Sequence, residues 1–156
     1  MNEAWFSALG EPLGEEEQRE IVAYLDGLGL HARVTRVSTW EEARDFCSRP
    51  ADEWWRAEEA ERARLEKSAR LDPADRDWLA LNDALHGAAA AAAVRAGCAD
   101  AGLIHAAAGA AGQAAYQARL ARTAGAAATH PFLRKHALYC GGRWPLGVYA
   151  EQFGIF

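Results

Sequence analysis

Cysteine is sparse in this chain: Cys47, Cys98 and Cys140 are the three in 156 residues. An odd number at wide spacing argues against a secreted disulfide scaffold and points to a reducing, cytoplasmic setting. Phosphate cradles are missing, since no GxGxxG follows a strand pattern and no GxxxxGK[ST] occurs. The tight spacings of strong zinc sites are missing too: there is no CxxC, HxH or HExxH. The opening Met-Asn-Glu-Ala-Trp has neither the positive region nor the long apolar run of a secretory leader. Lysine is rare, two residues against 15 Arg, an imbalance that speaks of GC-rich coding rather than of chemistry. No excess of positive charge exists either. The net charge of −5 leaves no global electrostatic footprint for nucleic acid or an anionic membrane.

One segment requires a membrane test. From Ala101 to Ala118 there is no Asp, Glu, Lys or Arg. Its large apolar residues are only Leu103, Ile104 and Tyr116, and Ala and Gly contribute little transfer energy, so it reads as a packed helix, not a bilayer span.

What is present describes a folded, mostly helical object. Hydrophobic residues make up 51% of the chain and there are six Trp, enough to offset the entropy of ordering. The length suits one domain spanning residues 1–156. Charge is split within it: residues 1–78 hold 11 basic and 19 acidic side chains, and residues 79–156 hold 6 and 3. The reading is an acidic sub-region over 1–71, an Ala-rich helical hairpin over 72–128, and a short helix plus β-hairpin over 129–156, with the acidic part as a solvated layer on the Ala-rich part.

Local signals place the elements. Glu15, Glu16 and Glu17 sit where a helix N-terminus favours anions, and Ile21, Val22 and Leu25 give that helix an apolar face ended by Gly27 or Gly29. His31 to Val37 is a strand candidate. Thr39-x-x-Glu42 reads as a capping box, with Ser38 as a competing cap, for a helix showing Trp40, Ala43, Phe46 and Cys47 on one face; Pro50 closes it. A charged helix runs from about Asp52 to Arg70, its Glu and Arg interleaved at three- and four-residue spacings. Asp72-Pro73 then opens the first Ala-rich helix.

Between Ala88 and Ala128, 22 of 41 residues are Ala. That composition forms helix strongly but buries little area per residue, so it gains by close approach. The expected centre of the fold is two antiparallel helices over about 73–97 and 102–124, turning at Gly97 to Gly102, with Gly109 and Gly112 as a tight packing face. Thr129-His130-Pro131 caps a short helix through Tyr139, stopped by Gly141-Gly142. The tail after Pro145 reads as a β-hairpin turning near Ala150-Glu151, docked on the core and available to pair with 31–37. The fold class is mainly α (α+β): a helical bundle on two Ala-rich antiparallel helices with a small C-terminal β-hairpin.

Chemistry-bearing residues are thin. His136-x-x-x-Cys140 places imidazole and thiolate on one helix face. Asp83-x-x-His86 offers another pair, and His105 or His130 could complete a set for zinc or iron. Cys140 followed by two glycines suggests a nucleophile beside an oxyanion hole, but no base is identified and helix termination explains the glycines equally. Carboxylate runs such as Glu58-Glu59 read as solvated faces. Arg119, Arg122, Arg134, Lys135 and Arg143 beside Tyr139, Trp144 and Tyr149 form a thin candidate patch for single strands. More telling are Trp54 and Trp55: consecutive on a helix, they cannot share one buried stripe. One of them is expected at a groove or contact surface, with Arg56 beside it.

Two function classes follow. The first is a non-enzymatic, acidic, cytoplasmic protein-interaction module (an inhibitor, immunity-type or accessory factor) without a cofactor. It binds another protein or itself, with no nucleic-acid or membrane partner, through Trp54, Trp55 and Arg56. The alternative is a metal-binding protein or metal-dependent enzyme using His86, His105, His136 and Cys140 with zinc or iron.

Overall fold

A computed structural model describes residues 4–70 and 76–156. The described elements are, in order, α1 (Glu15–Gly27), β1 (Arg33–Arg36), α2 (Trp40–Cys47), α3 (Asp52–Ala69), α4 (Arg76–Arg95), α5 (Ala101–Thr123), α6 (Pro131–Cys140), β2 (Pro145–Tyr149) and β3 (Gln152–Ile155). The architecture is mainly helical with a small sheet, as the sequence pattern implies. The expected Asp72-Pro73 cap lies outside the described residues.

Helix boundaries follow their capping chemistry. Glu17 turns back so that its Oε2 accepts from the Gly14 amide at 2.8 Å, satisfying an orphan donor of the first turn of α1. At α2 both cap candidates are used: Thr39 Oγ1 accepts from the Glu42 amide (3.1 Å), and Glu42 Oε2 accepts from the Ser38 amide (2.8 Å). Asp100 caps α5 by accepting from the Gly102 and Leu103 amides. The turn between α4 and α5 is therefore shorter than Gly97–Gly102, and Gly102 lies inside the helix. For α6 the cap is His130 rather than Thr129; its Nδ1 accepts from the Phe132 amide at 3.1 Å.

The hairpin and the strand at 33–36 join in one sheet of order β1-β3-β2. β3 lies between an antiparallel β2 and a parallel β1, with Val34 opposite Phe153 and Val148 opposite Phe153 on the other side. The turn sits at Ala150 and Glu151, which both take positive φ (48° and 61°), the geometry a two-residue hairpin demands. Every residue of β2 is buried, because α2, α3 and α6 pack over this strand. The chain end is pinned by reciprocal backbone hydrogen bonds between Trp144 and Phe156 (2.8 and 3.0 Å).

The interior differs from an alanine spine wrapped in an acidic coat. α4 and α5 do pack as an antiparallel pair, with Ala89, Ala93, Ala107, Ala108, Ala114 and Ala118 fully buried. Yet the bulky core comes from elsewhere: Ile21, Tyr24 and Leu25 of α1, Phe46 of α2, Trp54 of α3 and the sheet residues Phe153 and Ile155. The acidic first half contributes one buried stripe per helix and turns only its carboxylate faces to water. Alanine cannot supply this core, since it offers a single methyl to each contact. Gly112 makes a close approach to Asn82 on α4, whereas nothing lies within 4 Å of the place a Gly109 Cβ would occupy. Only half of the expected glycine packing face is a contact.

Candidate functional site

Two features set the site: a buried polar network and an aromatic recess beside it. In α3, the stripe Trp54, Glu58, Leu65 is the buried one, so a carboxylate enters the core. In α6 the buried stripe Phe132, Lys135, Leu138, Tyr139 brings an ammonium. They meet. Lys135 Nζ donates to both Glu58 oxygens (2.7 and 2.9 Å) and to Gln117 Oε1 (3.1 Å), using its three protons. Tyr24 donates to Glu58 Oε1 (2.5 Å) and Gln117 Nε2 to Glu58 Oε2 (3.1 Å). Trp54 Nε1 in turn donates to the Tyr24 hydroxyl at 2.9 Å. Glu58 and Lys135 are only 2% and 3% exposed. Burial opposes the charged form of Glu58, but Lys135 and the three donors outweigh it and hold the carboxyl below its ordinary range. Burial, followed by the negative charge of Glu58, pushes the Tyr24 hydroxyl far up, so it stays a donor.

This network was missed by sequence reasoning, although a signal existed. Glu58 and Lys135 are charges standing at helix-stripe positions that otherwise hold Trp, Leu, Phe and Tyr, and they are of opposite sign.

Beside the network lies a recess of about 310 Å³. One side is α5, where Ala106, Gly109 and Ala110 keep the surface low; across it stand Trp54 and Trp55 of α3 and Trp144 and Tyr149 around β2. Trp54 and Trp55 are in ring contact at 4.7 Å, and Trp54 meets Tyr149 at 5.7 Å. Polar groups are few: His105, Gln113 and the Cys47 thiol join Lys135 in the lining. Burial pushes the Cys47 thiol up, away from a reactive thiolate. Trp55 is 48% exposed at this recess while Trp54 is buried, so the consecutive pair is divided as its spacing demands. Arg56 is exposed beside it. Of the other tryptophans, Trp5 and Trp144 are buried, and Trp40 and Trp78 are half-buried.

The candidate metal ligands assemble only in pairs. His86 and His105 face each other across α4 and α5 with ring centroids 5.3 Å apart. His136 Nδ1 and Cys140 Sγ lie 3.5 Å apart on one face of α6. Among the described residues no group of three or more His, Cys, Asp or Glu is placed to hold a metal ion. The fifth histidine with a structural task, His130, accepts at Nδ1 and so carries its proton on Nε2, directed at Glu61 Oε1 (2.6 Å).

The thin cationic patch does not form. Lys135 is buried against Glu58; Arg143 is buried against Glu17 (2.7 Å) and the carbonyls of Ala8, Glu11 and Pro12; Arg134 pairs with Glu20 (2.7 Å). Tyr139, Trp144 and Tyr149 are buried, leaving no stacking platform. Likewise no base of the Ser–His–Asp kind is oriented toward Cys140. Burial and the neighbouring Arg122 hold His136 below the ordinary imidazole range, which favours its neutral form. No helix among the described residues is long and apolar enough to cross a membrane. No family model, curated protein or solved structure matches this chain.

Proposed function

We propose that the protein is a non-catalytic, cofactor-independent interaction module of the cytoplasm that engages another protein through the recess beside Trp55. The observation that carries this reading is Trp55. It is the one tryptophan that stands largely in solvent among the described residues, and it does so at a concave aromatic surface with Arg56 adjoining. Trp and Arg at the edge of a desolvated pocket have the composition of binding hot spots. The groups nearby that would otherwise suggest catalysis, Lys135 and Glu58, have their hydrogen-bonding capacity engaged internally. Three widely spaced thiols support a reducing compartment. An inhibitor, immunity-type or accessory role suits a module of this kind.

A photo-crosslinking amino acid placed at position 55, with position 22 as control, tests it in cells. Val22 is exposed to the same degree but lies on α1, away from the recess. Adducts to a distinct protein at position 55, several-fold above those at position 22 and lost when Gly109→Leu fills the recess, are the expected outcome. Equal yields at the two positions refute the reading.

A further inference from the structure

We infer that the recess is a receptor for one uncharged aromatic ring, presented by a Phe, Tyr or Trp side chain of the partner protein. This rests on the reading of the Trp55 face as a protein-binding surface.

Three observations converge on that occupant. The first is size. A volume of about 310 Å³ is at the lower end of the range of small-molecule sites, about 300–1,000 Å³, and suits a single large side chain rather than an extended segment. The second is the wall chemistry. Trp54, Trp55 and Tyr149 present ring faces and edges with mutual centroid separations of 4.7 and 5.7 Å. An incoming ring can continue that array in offset or edge-to-face contact, at the separations of about 4.5–7 Å that aromatic pairs prefer. Opposite them, Gly109 leaves open space where a Cβ would stand. A glycine in a helix interior is destabilising by about 1 kcal/mol relative to Ala, and here no close backbone contact or positive φ accounts for it. The low α5 surface is flat enough to take a planar group.

The third is charge. Lys135 is the sole permanently charged residue in the lining, and its three protons are committed to Glu58 and Gln117. A carboxylate or phosphate would therefore find no unengaged ammonium donor, while its own desolvation would remain uncompensated. A cation would face the Lys135 ammonium, and the Glu58 carboxylate that could attract it is already neutralised at 2.7 Å. Uncharged ligands remain. His105 and Gln113 at the lining can bond a phenol hydroxyl or indole N–H at the ring's outer edge.

The test is an NMR titration of the full chain, following the indole N–H signals of Trp54 and Trp55. The probes are N-acetyl-phenylalaninamide, N-acetyl-leucinamide, N-acetyl-lysinamide and N-acetyl-aspartate amide. Each is added to about 20 mM, above the millimolar Kd expected of a single side chain. Expected is saturable binding of the phenylalanine probe, with the three others about tenfold weaker. Gly109→Leu should abolish it. Gly87→Leu, at another helix position open to solvent and outside the recess, should leave it unchanged and control for the gain in helix propensity. Equal affinity for the aliphatic or a charged probe, no binding at the highest concentration, or persistence of binding in Gly109→Leu would overturn the inference. Failure here with crosslinks retained at position 55 removes the aromatic receptor and keeps the docking surface. The reverse result keeps an aromatic receptor and removes the protein-binding role.

Discussion

Replacing Lys135 with Met strands the Glu58 carboxylate in the core. The pair is held at 2.7 and 2.9 Å, where unit charges attract by about 6 kcal/mol at an effective dielectric of about 20. Much of that offsets the desolvation of both ions, so the native pair contributes little net stability. Breaking it is different. Methionine fills similar volume, but Glu58 keeps only Tyr24 and Gln117 as donors, and an uncompensated buried charge costs about 3–5 kcal/mol. A chain of this size has about 5–15 kcal/mol in total, so the variant should lose a large fraction of its urea midpoint. The double variant Glu58→Leu/Lys135→Met removes both charges and should recover at least about 2 kcal/mol relative to the sum of the single variants.

The pH dependence follows from the sign of the shift. In the native chain Glu58 is held below its usual value of 4.5, so its contribution is fully present above that pH. The contribution is lost as pH falls through the lowered value. Without Lys135 the first cause that lowers it is gone and burial dominates, raising the carboxyl. The deficit of Lys135→Met should then be largest at neutral pH and shrink toward about pH 5 as Glu58 protonates. Urea titrations at several pH values measure this. A deficit under about 1 kcal/mol at neutral pH, or additive single variants, would show that water reaches the pair and refute the reasoning.

Arg143→Met should cost about 3 kcal/mol, because it releases Glu17 and three carbonyls of the segment 8–12. Limited proteolysis should then cut before Glu15, and an unchanged digestion pattern would contradict this clamp. Replacing Ala150-Glu151 with Asn-Gly should raise stability by about 1 kcal/mol, since both positions hold positive φ and the Ala150 amide bond to Pro50 is retained. An unchanged or lowered thermal midpoint would refute it. Gly147→Ala should cost at least about 2 kcal/mol in urea unfolding, because a Cβ there meets the Trp54 ring and φ is +104°. The same substitution at Gly109, with nothing within 4 Å, should be neutral or stabilising by up to about 1 kcal/mol.

Much of the architecture is a local matter, and local matters are legible in a sequence. Glu15–Glu17, Thr39 with Glu42, Asp100, Pro131 and the poly-alanine run each act within one turn of their own helix, so their spacing alone declares the elements. The division of Trp54 from Trp55 is of this kind too, since consecutive helical side chains point about 100° apart. Tertiary structure decided which charged residues are not surface. Glu58 sits in a run of carboxylates like any other, and only the approach of α6 at Lys135 and of α1 at Tyr24 makes it a buried acceptor. The same approach dismantles the cationic patch, because Lys135, Arg134 and Arg143 find acids and carbonyls up to 135 residues away in the chain. The aromatic recess is likewise a property of assembly. Its walls come from α3, α5 and β2, which have no sequence relation, and its volume exists because small α5 residues face large ones across a gap. Periodicity reports which side of an element is buried; it carries no information about which elements meet, and charge pairing and cavities depend on that alone.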